Sequence, residues 1–151
     1  MIRCIEVELI IPDNEARTAL ATLQRLGVGI RALERADLYR CDVADDAANA
    51  LVPTLRAIET IFNPNKHAIR LRDSAGPGTG EVWIDERTSQ AAPAALPIRI
   101  ARRAIAGLRS FERFTVWRMA TAPGVAAEAR VVAAATDLLL CNPAFQKATH
   151  A

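Results

Sequence analysis

Residues 27–40 read Gly-Val-Gly-Ile-Arg-Ala-Leu-Glu-Arg-Ala-Asp-Leu-Tyr-Arg, and residues 107–118 read Gly-Leu-Arg-Ser-Phe-Glu-Arg-Phe-Thr-Val-Trp-Arg. Both stretches begin with glycine, continue through an arginine and a Glu-Arg pair, and end on an apolar residue, an aromatic residue and an arginine. The second stretch is two residues shorter. The Glu-Arg pairs, at 34–35 and 112–113, are 78 positions apart. Similarity at one long offset is typical of an internal duplication.

A second pair of markers has nearly the same offset. Asn63-Pro64 and Asn142-Pro143 are 79 positions apart, and each follows an apolar run with helical spacing. The two markers together predict a first repeat at residues 1–72 and a second at residues 81–151. The eight residues 73–80, Asp-Ser-Ala-Gly-Pro-Gly-Thr-Gly, have the composition of a linker.

The composition is that of a folded protein with an aliphatic core. Of the 151 residues, 51% are hydrophobic, 24% are charged and only 5% are aromatic, which excludes wholesale disorder. A formal charge of +2 is too small to indicate a nucleic-acid partner. Three widely spaced cysteines, Cys4, Cys41 and Cys141, indicate reduced thiols. With no apolar run of about 18 residues and no targeting sequence at the start, we expect a soluble, cytoplasmic protein.

The first half predicts alternating strands and helices. Apolar residues at every second position predict a strand around residues 5–9, and Pro12-Asp13-Asn14 predicts the cap of a helix that Gly27 ends. Two short strands, at 28–35 and 37–43, are expected around a turn near Ala36-Asp37. A second helix should begin at an Asp45-Asp46 cap. Its buried stripe and the strand that follows it comprise Leu51, Leu55, Ile58, Phe62, Ile69 and Leu71.

The second half repeats this pattern. A strand is expected at 81–87, then a loop with two prolines, a helix, paired strands within 111–120, and a helix at 125–140. The two prolines are Pro93 and Pro97, and the stripe of the first helix comprises Ile98, Ala101, Ile105 and Leu108, with an end near Gly107. The predicted fold class is therefore α+β: two tandem ferredoxin-like βαββαβ units with antiparallel sheets, related by a pseudo-twofold axis.

Residue patterns for catalysis are weak. Gly76 to Gly80 superficially suggests a phosphate-binding loop, but it has no lysine after it and a strand is expected next, so a linker is favoured. The only histidines are His67 and His150, and neither has a partner at the spacing of a nucleophile or metal site. We predict no catalytic, cofactor or metal site.

The repeated Glu-Arg pairs have two interpretations. They form a repeated binding surface or pair with each other across the pseudo-twofold, or they are charges of a solvated turn between strands. A solvated face is likewise favoured over a nucleic-acid surface for the arginines at positions 31, 35, 40, 70, 72, 99, 102, 103, 109, 113 and 118. Tyr39 and Trp117, at matching places, are expected to be core or sheet-face residues rather than a stacking platform.

The order of these elements resembles the small S subunit of phosphoribosylformylglycinamidine synthase (PurS). Thr60 to Pro64 and Leu139 to Pro143 are similar to the end of that family's second helix, and Gln24 to Gly27 to the end of its first. The resemblance covers nearly the whole chain twice, whereas the typical member is one such unit that dimerises.

The resemblance implies a non-catalytic scaffold in purine biosynthesis that bridges the ATP-dependent amidoligase and glutaminase subunits and helps ammonia pass between them. ATP and magnesium belong to those partners. The alternative is a ferredoxin-like regulatory module that binds an amino acid or a nucleotide between its repeats. The candidate interface residues are Glu34, Arg35, Asn63, Pro64, Glu112, Arg113, Asn142 and Pro143.

Overall fold

A computed structural model of the chain describes residues 1–85 and 99–151 and has the predicted α+β class. Seven described strands form one antiparallel sheet in the order β3-β1-β2-β5-β4-β7, with β6 paired to β5. The strands are β1 (Ile2–Leu9), β2 (Ala32–Val43), β3 (His67–Arg72), β4 (Glu81–Asp85), β5 (Leu108–Ala122), β6 (Val125–Ala126) and β7 (Lys147–His150). The helices are α1 (Asn14–Arg25), α2 (Leu51–Arg56), α3 (residues 99–104) and α4 (Ala129–Ala135), with a 3₁₀ helix at Asp45–Ala50 and a π-helical turn at Thr136–Leu140.

The chain divides into two compact units, and each contains segments of both sequence halves. Within the described residues, the first unit comprises 1–11, 37–75 and 99–114, and the second comprises 12–36, 76–85 and 115–151. Strands β2 and β5 each contribute to both units, because the division falls after Ala36 in β2 and after Phe114 in β5. Residues 73–80, the predicted linker, belong to neither a helix nor a strand.

The core of the first unit confirms part of the predicted apolar periodicities. Ile5 and Val7 of β1 are buried in one cluster with Leu51, Leu55 and Ile58 of the helical stripe and with residues of β2, α3 and β5. The buried members of this cluster are Ile5, Val7, Tyr39, Cys41, Val43, Leu51, Leu55, Ile58, Ile61, Ala101, Ile105 and Phe111. Cys4 and Glu6 are buried as well, so β1 is covered on both faces and is not the half-buried strand that its alternation predicts.

The second unit has its own core, in which α1 and α4 pack on the sheet. Leu23 of α1 and Val132 of α4 are buried against Ile84 and Met119 of strands β4 and β5. Trp117 belongs to this cluster, as Tyr39 does to the other, so both aromatic residues are core residues as predicted.

The ends of α1 are those that the sequence predicts. The Asp13 carboxylate accepts hydrogen bonds from the amides of Glu15 and Ala16, each at 3.1 Å, which satisfies two of the free N–H groups of the first turn. After the last turn Gly27 adopts a φ of 85°, a left-handed conformation that favours glycine.

The predicted Asp45-Asp46 cap is wrong. The capping position is Ala44, no side chain caps the helix, and both aspartates lie within the 3₁₀ helix itself. Strand β2 ends at Val43, so the chain turns immediately: the Ala47 amide donates to the Ala44 carbonyl at 3.0 Å. The tight turn places the acids after the capping position rather than at it.

The predicted turn near Ala36-Asp37 is also wrong, because residues 32–43 form one continuous strand. Ala36 and Leu38 are buried on one face of β2 and Tyr39 on the other, so both faces of the strand are covered at its middle. The second half differs from its prediction in the same way, because the paired strands expected within 111–120 are one strand, β5. The first half consequently runs β-α-β-α-β rather than βαββαβ.

Smaller differences affect the last helix. Val125 and Ala126 form strand β6, which pairs with β5 through a tight turn at Gly124, so the helix begins at Ala129 rather than at 125. Leu108, expected on the third helix, is the first residue of β5. The predictions for 86–87, the prolines at 93 and 97, and Ile98 lie outside the described residues.

Two glycines with similar backbone conformations allow a sharp stability test. Gly80 (φ 78°) and Gly124 (φ 71°) are both left-handed, but a Cβ on Gly80 would lie 2.8 Å from the Met119 carbonyl oxygen, whereas a Cβ on Gly124 meets nothing within 4 Å. We expect Gly124→Ala to cost about 1 kcal/mol from backbone strain. Gly80→Ala should cost about 2 kcal/mol more, because backbone must move. Urea unfolding of both variants measures the difference, and equal costs would contradict the close approach.

Candidate functional site

The predicted Glu-Arg pairs lie within strands β2 and β5 and take part in ion pairs. In the second unit, the Arg35 guanidinium donates to both carboxylate oxygens of Asp13, at 3.0 and 3.2 Å, and also to Glu15. Its guanidinium carbon lies 5.8 Å from the centroid of the Trp117 ring. Arg35 therefore fixes the residue that caps α1, and its planar fork suits this bidentate contact.

In the first unit, Arg113 donates to Asp37 at 3.0 Å, and Arg40 donates to Glu112 at 2.8 Å. In the second unit, Arg118 lies 3.7 Å from Glu34. Arg40 and Arg118 occupy the same place in the duplicated frame, and so do Glu112 and Glu34, so the two contacts join equivalent positions. Because these side chains are partly exposed, each contact contributes at most about 1 kcal/mol.

Two carboxylates are buried with arginines. Glu6 of β1 is fully buried. Its Oε2 lies 2.7 Å from Nη2 of Arg70, and its Oε1 lies 3.7 Å from Nη1 of Arg72, both on the neighbouring strand β3. Glu81, also buried, accepts from Arg118 and from the Gly78 amide, at 2.9 Å each. Such pairing compensates charges that would otherwise be costly to bury.

The Asn63-Pro64 and Asn142-Pro143 turns have matching hydrogen bonds. In each turn the asparagine side-chain oxygen accepts from the amide two residues later, at 2.9 and 3.0 Å. The asparagine carbonyl accepts from the amides three and four residues later, at 2.8 to 3.2 Å. The asparagine amide donates to the side chain four residues later: Nδ1 of His67 at 2.9 Å and Oε1 of Gln146 at 2.8 Å.

These hydrogen bonds explain why Asn-Pro is repeated: the four predicted interface residues of the two motifs form turns. Asparagine bonds its own downstream backbone, and proline needs no amide partner at the second position. His67 is the acceptor of the Asn63 amide, so its Nδ1 is occupied in the described structure. His67 and Gln146 each lie four residues after their asparagine, so the two positions are equivalent although their residues differ.

The three thiols are weak nucleophile candidates. Burial raises the pKa of Cys41 to about 12, and burial also raises the pKa of Cys4 and of Cys141 above their ordinary value. Since the thiolate is the reactive form, these thiols stay protonated at neutral pH. Within residues 1–85 and 99–151, no group of three or more His, Cys, Asp or Glu residues is placed to hold a metal ion.

The second unit contains an open cleft of about 630 Å³ that the sequence did not reveal. Segments 26–29, 121–126 and 128–138 line it, and three large apolar side chains at its walls are half exposed: Leu26 at 52%, Val125 at 52% and Leu138 at 53%. Single exposed apolar side chains are normal on protein surfaces, but here three of them share the walls of one cleft.

Local backbone features place these side chains. Leu26 follows the last turn of α1, and Val125 lies on the short strand after the Gly124 turn. The π-helical turn after α4, closed by the Cys141 amide on the Thr136 carbonyl at 3.1 Å, exposes Leu138 and buries Leu140. Insertions of this kind are frequent at functional sites. We call the surface formed by Leu26, Val125 and Leu138 the apolar cleft.

No family model and no curated protein sequence matches the chain. Over the part of the chain that the structure describes, every helix is too short or too polar to cross a membrane.

The two Asn-Pro turns provide their own control for a stability prediction. We expect His67→Gln to unfold within about 0.5 kcal/mol of the natural chain, because glutamine already fills this role at position 146. His67→Ala should lose about 1 kcal/mol, since the Asn63 amide loses its acceptor. The matched variants Gln146→His and Gln146→Ala should reproduce this contrast. Chemical denaturation checks all four, and an equally large loss for His67→Gln would show that the histidine does something glutamine cannot.

The raised pKa of Cys41 predicts a loss of stability in alkali. The unfolded thiol ionises near its ordinary pKa of 9.0, while the folded one keeps its proton until about 12. Stability from this group is complete below pH 9 and is lost as the pH rises toward 12, by about 1 kcal/mol per pH unit. Cys41→Ala should reduce this slope, whatever it does to stability at pH 7. Urea unfolding at several pH values measures the slope, and an unchanged slope would exclude Cys41 as its cause.

Proposed function

We propose that this chain is a non-catalytic scaffold that binds protein partners through the apolar cleft of its second unit. The observation that carries the proposal is the exposure of Leu26, Val125 and Leu138 around one cleft. Burying apolar side chains away from water is favourable, and a partner protein that packs against the cleft would bury them. The polar residues Glu128 and Arg130 at the same cleft form an exposed ion pair, as is common at the rim of an interface.

The chemistry of the other polar groups supports a scaffold. Buried carboxylates are paired with arginines, the Cys41 thiol is protonated, and His67 accepts a backbone amide. A general base or nucleophile needs a free, suitably ionised group within reach of a substrate. In the described residues these groups are used to hold the fold.

We infer further that the chain is a tandem of two ferredoxin-like units related by a pseudo-twofold axis. Three pairs of features support this. The Asn63 and Asn142 turns share their hydrogen bonds, Gly27 and Gly107 are both left-handed after a helix, and Arg40–Glu112 matches Arg118–Glu34. A fused pair of this kind has the form that a dimer of a single-unit PurS would take as one chain.

On this basis we propose the specific role of a bridging subunit of phosphoribosylformylglycinamidine synthase type, in purine biosynthesis. Its partners would be the amidoligase and glutaminase subunits, which would supply ATP, magnesium and the chemistry. The proposal rests on the short Leu-Gly and Asn-Pro motifs and on the paired turns, with the apolar cleft as the surface for one partner. A cytoplasmic location follows from the same assignment.

A second candidate function is a regulatory module for a small ligand. It is favoured by the position of the apolar cleft, whose walls come from residues 26–29 of the first sequence half and residues 121–138 of the second. A volume of about 630 Å³ also lies within the range of ligand pockets. In this case an amino acid or a nucleotide would bind between the two predicted repeats.

Co-purification with the tagged chain tests the scaffold. We expect the amidoligase and glutaminase subunits to be retained by the natural chain and lost from the double variant Val125→Ser/Leu138→Ser. The matched control is Ile10→Ser/Leu71→Ser, which changes two exposed apolar residues of the first unit and should retain both subunits. Substitutions at such exposed positions should change stability little.

Failure of the natural chain to retain either subunit, under conditions that keep a known synthase complex intact, would contradict the specific role. Thermal unfolding with a panel of amino acids and nucleotides separates the second candidate. A rise in the melting temperature that Leu138→Ser abolishes would replace the scaffold by a ligand-binding module.

A further inference from the structure

The outer face of α3, in the first unit, carries three arginines. Arg99, Arg102 and Arg103 are exposed, while Ala101 and Ile105 are buried in the core of that unit. The apolar residues anchor the helix by one side and leave the arginines on the other. We call the outer side, defined by Arg99, Arg102 and Arg103, the arginine face.

The spacing of the three arginines is unfavourable for an isolated helix. Positions i, i+3 and i+4 are neighbours with Cβ atoms about 5–6 Å apart, and like charges there repel. Helix α1 of the second unit, by contrast, has an acid in its first turn: Glu15, which pairs with Arg35. The buried side of α3 holds the three arginines close together. An anion bound to them from outside would remove the repulsion between them.

Within residues 1–85 and 99–151, acids do not neutralise this face. Most arginines of the strands are paired, as Arg35 is with Asp13 and Arg40 with Glu112. Across residues 1–85 and 99–151, by contrast, no carboxylate lies within 4 Å of the guanidinium groups of Arg99, Arg102 or Arg103. The three charges are available to a partner.

We propose that the arginine face binds an acidic segment of a partner protein. The proposal rests on the scaffold function and adds a second surface to it, in the other compact unit from the apolar cleft. Guanidinium groups pair with carboxylates through two parallel hydrogen bonds, which gives geometric selectivity as well as attraction. Charged groups at the rim of an interface mainly select the partner and speed its association.

The small size of the face favours a protein over a nucleic acid. Nucleic-acid binding needs many phosphate contacts and gains from stacking aromatics. The described helix 99–104 offers three cations and no aromatic residue, and the whole chain has a formal charge of only +2. A short acidic stretch with three or four carboxylates matches three guanidinium groups.

The test uses the full chain and a fluorescein-labelled peptide of ten glutamates, with binding followed by fluorescence anisotropy at low salt. We expect Arg99→Gln/Arg102→Gln/Arg103→Gln to weaken binding about tenfold, the combined effect of three exposed ion pairs. The matched control Arg17→Gln/Arg25→Gln/Arg31→Gln removes the same charge from exposed but dispersed positions and should weaken binding less than twofold. Raised salt should weaken the binding of the natural chain, because exposed charges are screened.

Equal losses in the two triple variants would overturn the proposal, since net charge alone would then explain binding. It would also be overturned if the natural chain failed to bind the peptide, or if a ten-nucleotide single-stranded DNA bound more tightly through the same arginines. Co-purification gives an independent outcome. Loss of a synthase subunit from the arginine variant would support the proposal, while full retention would overturn it and leave the apolar cleft and the scaffold function standing.

Discussion

The pairing of β2 with β5 is the constraint on which the rest of the structure depends. These are the two longest of the described strands and are neighbours in the sheet. The Arg31 amide donates to the Ala120 carbonyl near one end, and the Ala44 amide donates to the Gly107 carbonyl near the other. A slip by one residue would turn every buried side chain of these strands to the opposite face.

Much of the fold could be predicted because its determinants are local. Ile5 and Val7 of β1 and the stripe of Leu51, Leu55 and Ile58 are buried in one core, and Asp13 and Gly27 act through bonds to residues only a few positions away. The prediction of a turn at Ala36-Asp37 was wrong because the middle of β2 is covered on both faces. A strand buried on both faces has no simple alternation of apolar and polar residues. Its polar residues, which pair with distant arginines, make the sequence resemble that of a turn.

The candidate site was less predictable, and for a different reason. The repeated Glu-Arg pairs attracted a functional interpretation because they are repeated and polar, yet they hold caps and neighbouring strands together. The apolar cleft combines residues almost a hundred positions apart, and its exposure of Leu138 depends on a π-helical turn. Only the run Leu138-Leu139-Leu140 gave a hint, since three successive leucines cannot all lie on one buried face of a helix.

The interleaving of both sequence halves in each compact unit has a consequence for biosynthesis. Leu23, near the start of the chain, lies in one core with Val132, and Ile5 lies in the other with Phe111. Contacts over such long separations form slowly, since a large loop must close before they give any stabilisation. Neither core can be completed until most of the polypeptide has left the ribosome. Until then the aliphatic stripes of the nascent chain have no native partner, which makes them natural substrates for chaperones.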